Sequence, residues 1–455
     1  MPYAMKFRHF LSALPLLAGG VWAATPVTNE LLLPEKIYPQ LDVILRQALQ
    51  QSPQMVNKAL DLEIAENNRI AARSNLLPNV GASYTYSQAS DDRADLNGRV
   101  SVAKIYYNVS VTQPLFHWGE RRNLARIGEI QQKIAQGNQR EAYRLLAQEI
   151  RSEYLQLIVR KIYLARSRMG NKFNQDTLRA GEDRYAKKSI SEAEIFTVRV
   201  NADRAQIEEE RGVYEYESAK QAFVRVTGLA QLDENAIPDE IVELRYSPAA
   251  FDQLLAGFLA QKDPGTNAAV NMRSQIEIED LNYRNARTRL RPKFNFLAGT
   301  SQDEQSYSLN VAQKYRVNSI FAGVGMSWSI FDGFSAQAAT RNALAHRRQL
   351  ENDYRVLTDR LARDAQAQIK QVNFSARLMS ISDRVLVATN GAFQVKKGEF
   401  ARGALSENDI TQANLAYYEA LIAAENARID YLLKVGEFLG TVAEDPVLAN
   451  ISVGK

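Results

Sequence analysis

The chain says most of what it says twice, and a long-period internal repeat constrains a fold more than any local signal does. Ala72-Arg73-Ser74-Asn75-Leu76-Leu77-Pro78 returns as Ala286-Arg287-Thr288-Arg289-Leu290-Arg291-Pro292, an offset of 214 residues. Leu115-Phe116 returns as Ile330-Phe331, and Tyr185, Ser191 and Ile195 return as Phe400, Ser406 and Ile410, all at an offset of 215. The copies also begin alike, at Leu41-Asp42 and Phe251-Asp252. Copy one therefore covers about 41–228 and copy two about 251–442, with an irregular connector at 229–250 that holds Pro238 and Pro248.

Each copy follows one grammar. A helix runs into a proline, Pro78 or Pro292, where the chain must leave helical geometry. Two strands follow, expected at about 79–88 and 105–115 in copy one and at about 293–301 and 318–331 in copy two. Next comes a long helix, about 118–182 or 334–398, and then a return helix, about 191–228 or 406–440. Residues 24–40 read as an N-terminal extension and 443–455 as a C-terminal tail.

The strands carry the functional signal. Val80, Ala82, Tyr84 and Tyr86 alternate with Gly81, Ser83, Thr85 and Ser87. Tyr107, Val109 and Val111 alternate with Asn108, Ser110 and Thr112. Ile320, Ala322, Val324, Met326, Trp328 and Ile330 alternate with Phe321, Gly323, Gly325, Ser327 and Ser329. Period two with one apolar face is a half-buried strand. An ordinary sheet packed on helices would alternate too, but small and hydroxyl residues opposite aromatics suit a water-filled lumen opposite lipid. On that reading Tyr84, Val109, Val324 and Trp328 face lipid, while Ser83, Ser110, Gly325 and Ser327 face the lumen. Four strands cannot close a barrel, and open edges are not viable in lipid. Several chains must share the barrel, and three would give twelve strands. The stretches 88–104 and 301–317 read as polar loops.

The long segments carry no proline from Gly119 to Gly181 or from Ser335 to Lys397, and some 60 residues of helix reach about 90 Å. Ala, Leu, Ile and Tyr recur at three- and four-residue spacing within 145–164 and 413–433, which is coiled-coil-like packing with a solvated face.

The N-terminus reads as an export signal at 1–23. Lys6, Arg8 and His9 precede an apolar core from Phe10 to Val21, and the mature chain is predicted to begin at Ala24. The apolar core is too short for a membrane anchor. Losing Lys6 and Arg8 takes the net charge from +4 to +2, which does not suit an electrostatic nucleic-acid binder. With no cysteine there is no disulfide, thiolate zinc site, thiol nucleophile or cysteine-linked lipid. The three histidines, His9, His117 and His346, form no catalytic set, and no phosphate-binding glycine loop appears. An enzyme is therefore not expected, nor a metal or cofactor. The competing reading is an exported coiled-coil spacer or adaptor, which accounts for the helices but not for two full repeats with strands.

The repeat, the helix–proline–strand junctions, and the phrases Gln113-Pro114-Leu115-Phe116-His117-Trp118-Gly119 and Ser329-Ile330-Phe331-Asp332-Gly333-Phe334 resemble the TolC-like outer membrane efflux protein family. So does Phe400-x-x-Gly403-x-x-Ser406-x-x-Asp409 at the second helix turn. The resemblance spans the mature chain. It implies a mostly helical trimer whose twelve-stranded β-barrel, four strands per protomer, crosses the outer membrane and continues into a long α-helical coiled-coil barrel through the periplasm. It also implies export of small molecules or proteins, driven by an inner-membrane transporter through a periplasmic adaptor, the membrane fusion protein. The docking turns would be those of Tyr185, Lys188 and Ser191 and of Phe400, Gly403 and Ser406. Candidate pore-lining residues of the periplasmic entrance are Asp409 and Glu194, with Gln412 where a second acid is common; both acids could equally be helix-terminal caps. Copy one departs from the pattern, with Lys188 for glycine and Glu194 for aspartate, so a differently shaped turn is expected there.

Overall fold

A computed structural model of the chain describes residues 33–92, 99–306 and 314–451; the expected export signal lies outside the described residues. Copy one begins with a short turn of helix, α1 (Pro34–Ile37), then α2 (Pro39–Gln51) and α3 (Pro53–Ser74). The strands β1 (Asn79–Asp92) and β2 (Arg99–Phe116) lead into α4 (Glu120–Ala186) and its return helix α5 (Glu192–Thr227). Copy two repeats the order as α6 (Pro248–Leu259), α7 (Asn267–Thr288), β3 (Lys293–Ser306), β4 (Lys314–Ser327), α8 (Ser335–Ala401) and α9 (Glu407–Thr441). Helices α4 and α8 are both 67 residues long, about 100 Å each. No described helix is long and apolar enough to cross a membrane.

The strands are longer than the alternation suggested. β1 and β2 take in much of the stretch expected as a polar loop at 88–104, and β3 and β4 much of 301–317. The ladder does not require apolar side chains, so it continues wherever the backbone of the neighbouring strand is still in register. β4 also stops at Ser327, short of the expected 331, because the chain turns through left-handed Gly333 (φ 65°) and Phe334 (φ 66°) into α8. Copy one makes the same strand-to-helix turn through Trp118 (φ 55°) and Gly119 (φ 88°).

Helix α4 is the centre of the helical layer. It packs against α3 and α5 of its own copy and against α7 and α9 of the other. Tyr143, Leu146, Ile150, Tyr154, Leu155 and Ile158 are fully buried along it, facing partners such as Phe223 of α5. Each such apolar side chain contributes roughly 1.5–3 kcal/mol of burial. Gly228 ends α5 at φ 75°, where a Cβ would lie 2.3 Å from the Gln51 carbonyl oxygen, so the return helix stops directly against the α2–α3 break.

Two buried ionic clusters tie the irregular segments to this layer. Arg151 of α4 donates two hydrogen bonds of 2.9 Å to Asp445 in the C-terminal tail, and its Nε donates at 2.9 Å to Glu35 of α1. Burial opposes the Arg151 charge, yet the two carboxylates outweigh it and hold the guanidinium protonated. The second cluster fixes the connector between copies. Glu425 of α9 accepts the Ile241 N–H at 3.0 Å and Arg428 at 3.0 Å, while Arg428 also donates to the Ile241 carbonyl at 2.6 Å and reaches Asp383 of α8.

Burial pushes the Glu425 carboxyl up to about 7, against the opposing pull of Arg428 and the Ile241 N–H. In the unfolded chain the group titrates near 4.5. The fold thus favours the neutral form, and this contribution is complete below about pH 4.5 and declines as pH rises to about 7. Its size is on the order of 3 kcal/mol at most. Glu425→Gln should therefore flatten this loss: between pH 5 and pH 8 the thermal midpoint of the wild type should drop further than that of the variant. Identical pH dependence in the two proteins would remove Glu425 from the account.

Candidate functional site

Two regions lie where function would act: the sheet at one end of the long helices and the helix turns at the other. The sheet is antiparallel throughout, in the order β1-β2-β3-β4. Directly opposed residues share a face. The register pairs Ala82 with Val109, Val109 with Thr300, and Thr300 with Ile320. By alternation Val80, Tyr84, Val111, Phe296, Val324 and Met326 lie on that same face. Thus three of the four residues expected to face lipid, Tyr84, Val109 and Val324, share one side. Trp328 lies one residue beyond the end of β4, and its indole N–H donates to the Leu290 carbonyl at 2.9 Å.

The opposite face holds Ser83, Ser110, Gly325 and Ser327, with Asn108, Asn295 and Ser301 among their neighbours. It is not uniformly small, since Phe321 shares it and leans against Gly299. The apolar residues are open rather than covered: Tyr84 is 67% exposed, Val324 65% and Ile320 91%. Among the described residues no helix packs extensively on the sheet to bury this face. Both outer strands, β1 and β4, keep one edge without a partner strand in the described chain.

A bulge between Pro114 and Phe116 shifts the register so that Phe116 pairs with Phe294. Alternation alone would have put Phe116 on the polar side. His117 then turns inward, 7% exposed, with Nε2 2.9 Å from Asn295 Oδ1 and Nδ1 accepting from Arg121 at 3.3 Å. It is a buried residue of the strand–helix junction. His346 is exposed on α8. Among the described residues no cluster of His, Asp and Glu could hold a metal ion.

At the other end each hairpin turns the same way, which corrects the expectation of a different turn in copy one. Lys188 N–H donates to the Tyr185 carbonyl and Ser189 N–H to the Arg184 carbonyl, both at 2.8 Å. Gly403 and Ala404 N–H repeat the pattern onto Phe400 and Glu399 at 2.9 and 3.0 Å. The backbone bonds impose the shape, and Lys188 takes the left-handed φ of 55° where Gly403 takes 75°. Each return helix opens with a reciprocal capping box. Ser191 N–H donates to Glu194 at 2.8 Å and Glu194 N–H donates back to Ser191 Oγ at 3.2 Å. Ser406 Oγ donates to Asp409 at 2.6 Å and accepts the Asp409 N–H at 3.2 Å. The Ser191 N–H and then its hydroxyl hold Glu194 below the usual carboxylate range. The Ser406 hydroxyl and then its N–H do the same for Asp409. In the single chain both acids are thus ionised caps. Gln412 is exposed one turn further along α9, and Tyr185 and Phe400 are partly open beside their turns.

The matching turns make a paired prediction. Gly403→Ala should cost about 1–2 kcal/mol, because alanine must adopt a left-handed conformation. Lys188→Gly should change stability by less than about 1 kcal/mol, since relief of that strain is offset by added chain entropy. Chemical denaturation of the full chain in detergent measures both, and an unchanged midpoint for Gly403→Ala would contradict the left-handed turn.

Comparison with known proteins bears on the whole chain. The family model described as "Outer membrane efflux protein" matches residues 44–229 and 271–435. The chain is 24% identical to Outer membrane protein TolC of Escherichia coli (strain K12) over 439 residues, which cover 89% of this chain and 83% of that one. It is 23% identical to Outer membrane protein TolC of Salmonella enteritidis over 437 residues, covering 90% and 84%. Its fold is similar to the crystal structure of the Campylobacter jejuni CmeC outer membrane channel, with a TM-score of 0.68 at 13% identity, covering 89% of this chain and 86% of that one.

Proposed function

Since the chain belongs to the outer membrane efflux protein family and is an outer-membrane protein, we propose that three copies close into one continuous duct for export across periplasm and outer membrane. One observation carries this reading: both layers of the chain end in open edges on the same two sides. In the helical layer the packing order near the sheet is α3-α4-α7-α8, and toward the hairpin turns it is α5-α4-α9-α8. The edge helices carry the exposed apolar residues. Phe374, Leu378, Ile381 and Val385 form a stripe at four- and three-residue spacing on α8, Val56, Leu60 and Ile64 one on α3, and Phe196, Ile207 and Tyr214 one on α5. β1 follows α3 and β4 precedes α8, so a single head-to-tail contact pairs β4 with the next copy's β1 and α8 with its α3 and α5. Heterologous contacts of this kind close into rings. Three copies of the four-stranded sheet give twelve strands.

In this duct the face of Tyr84, Val109 and Val324 meets outer-membrane lipid and the face of Ser83 and Ser110 meets water. The turns of Tyr185, Lys188 and Ser191 and of Phe400, Gly403 and Ser406 point away from the membrane and dock a periplasmic adaptor, which joins the duct to an inner-membrane transporter. The transporter supplies the energy, and the chain itself catalyses no reaction. Cargo is either a small molecule or a secreted protein.

The assembly is tested in detergent extracts, where the protein should migrate as a trimer. A monodisperse monomer with its β-content intact would overturn the ring. Single cysteines supply a second readout, because the chain has none of its own. A membrane-impermeant thiol reagent should label Ser83→Cys and Ser110→Cys well ahead of Tyr84→Cys and Val324→Cys, and the reverse order would invert the barrel.

Closure would also bring three Asp409 and three Glu194 side chains around one axis. Their mutual repulsion then works against the capping serines, and the ring attracts cations. Single channels should be cation-selective and blocked by multivalent cations from the periplasmic side. Asp409→Ala should weaken that block while trimers still form. Unchanged block in planar bilayers would leave Asp409 as a helix cap alone.

A further inference from the structure

Where the sheet meets the helices, the short elbow between α7 and β3 is held at two of its carbonyls by indoles. Trp118 Nε1 donates to the Pro292 carbonyl at 2.8 Å and Trp328 Nε1 to the Leu290 carbonyl at 2.9 Å. Both indoles lie where the strands give way to the helices, just after β2 and β4. Trp118 meets Phe116 edge-on at 4.7 Å, and Phe116 was brought to the apolar sheet face by the bulge. Trp328 is the first residue after β4, two beyond Met326, and is 53% exposed. Phe331 and Phe334, 70% and 68% exposed, add two more open aromatic rings between β4 and α8. Tryptophan and tyrosine girdles mark the depth at which lipid headgroups begin.

The elbow also carries three cations in five residues, and they are not equivalent. Lys293 is paired with Glu120 at 2.6 Å, and Arg289 lies 3.5 Å from Asp332. Among the described residues no carboxylate lies within ion-pair distance of Arg291. Its guanidinium instead lies over the Trp118 ring, 4.7 Å from the centroid, on a residue that is exposed to solvent. The corresponding elbow of copy one, Asn75-Leu76-Leu77-Pro78-Asn79, has no cation, and Gln113 rather than an indole holds its Leu76 carbonyl.

We infer that Arg291, laid on Trp118, binds the phosphate of an anionic glycerophospholipid in the periplasmic leaflet, one such site per chain. A planar guanidinium is suited to bidentate contact with phosphate oxygens. Its position at the border of an apolar face lets the acyl chains of the same lipid lie along Phe294, Phe296 and Met326. The inference rests on the proposed lipid contact of that sheet face. The lipid is chosen over free phosphate because the cation adjoins an open apolar surface rather than an aqueous cleft.

Intrinsic fluorescence reads this site directly. Of the three tryptophans, Trp22 falls in the expected export signal and the other two flank the elbow. The mature protein is reconstituted in phosphatidylcholine vesicles containing a minor fraction of brominated phosphatidylglycerol or, separately, the same fraction of brominated phosphatidylcholine. The anionic lipid should quench as though enriched about fivefold at the site, the factor that one interfacial cation supports. Arg291→Gln should remove the excess and leave quenching by the zwitterionic lipid unchanged. Arg291→Lys, which keeps the charge without the planar guanidinium fork, should lie between the two. Inorganic phosphate added at constant ionic strength should not displace the excess; displacement would make this a site for the free anion and overturn the lipid assignment. Equal quenching by the two lipids in the wild type, or an excess that survives Arg291→Gln, would also overturn it. Absence of quenching by either lipid would instead defeat the proposed lipid face itself.

Discussion

A strand in contact with lipid must have its backbone hydrogen bonds made on both edges, because the hydrocarbon offers no substitute for water. In the proposed duct this requirement governs how the chain is arranged. Each copy of the repeat supplies one hairpin, and β2 pairs with β3 so that the two hairpins become one sheet. That pairing joins Val111 to Ala298 across most of the distance between the copies. Among the described residues it leaves the outer edges of β1 and β4 without a partner strand. The long helices descend from the strands through left-handed turns, so their lateral order is inherited from the sheet.

The segments outside the repeat need a different kind of fixing. Neither the tail at Asp445 nor the N-terminal turn at Glu35 has a long apolar face to bury, and both are held by Arg151. Buried ion pairs are weak sources of net stability, since desolvation cancels much of the attraction. Their geometry is exacting, however, and a bidentate guanidinium admits few alternatives. The connector is held likewise, by the Glu425–Arg428–Asp383 cluster. Apolar packing thus builds the repeated body, and charge places what the repeat does not specify.

This division explains what could be read from the sequence. Faces of strands are written in period two, so the common side of Tyr84, Val109 and Val324 was legible before any register was known. Long helices were legible from the absence of proline and the three-and-four spacing. The bulge that turns Phe116 around was not, because one inserted residue leaves no compositional trace. Nor were the ionic clusters, whose links from Arg151 to Glu35 and Asp445 and from Arg428 to Asp383 span long stretches of sequence among many other charged residues. The turn at Lys188 misled for a separate reason: a residue type gives a preference, while the hydrogen bonds to Tyr185 and Arg184 decide the conformation. At the helix starts the capping pattern was legible, but one carboxylate can serve both as cap and as pore lining, so spacing alone leaves its second role open.

The two copies have equal helices but unequal surroundings, and the inequality is informative. α4 is enclosed on both sides, burying Tyr143, Leu146 and Ile150 along with Tyr154 and Ile158, whereas its equivalent α8 leaves Phe374, Leu378, Ile381 and Val385 open. An isolated chain would gain nothing from such a stripe, and exposed apolar surface of this extent invites association. If the ring closes head to tail, α8 acquires on its open side the neighbours that α4 already has within the chain. The contact between α4 and α9 would then be echoed by one between α8 and the next copy's α5. The ring would present six near-equivalent hairpins rather than three pairs, with covalent and non-covalent junctions alternating around it. In the proposed ring the repeat would build six hairpins from three chains, with half of the junctions secured before assembly begins.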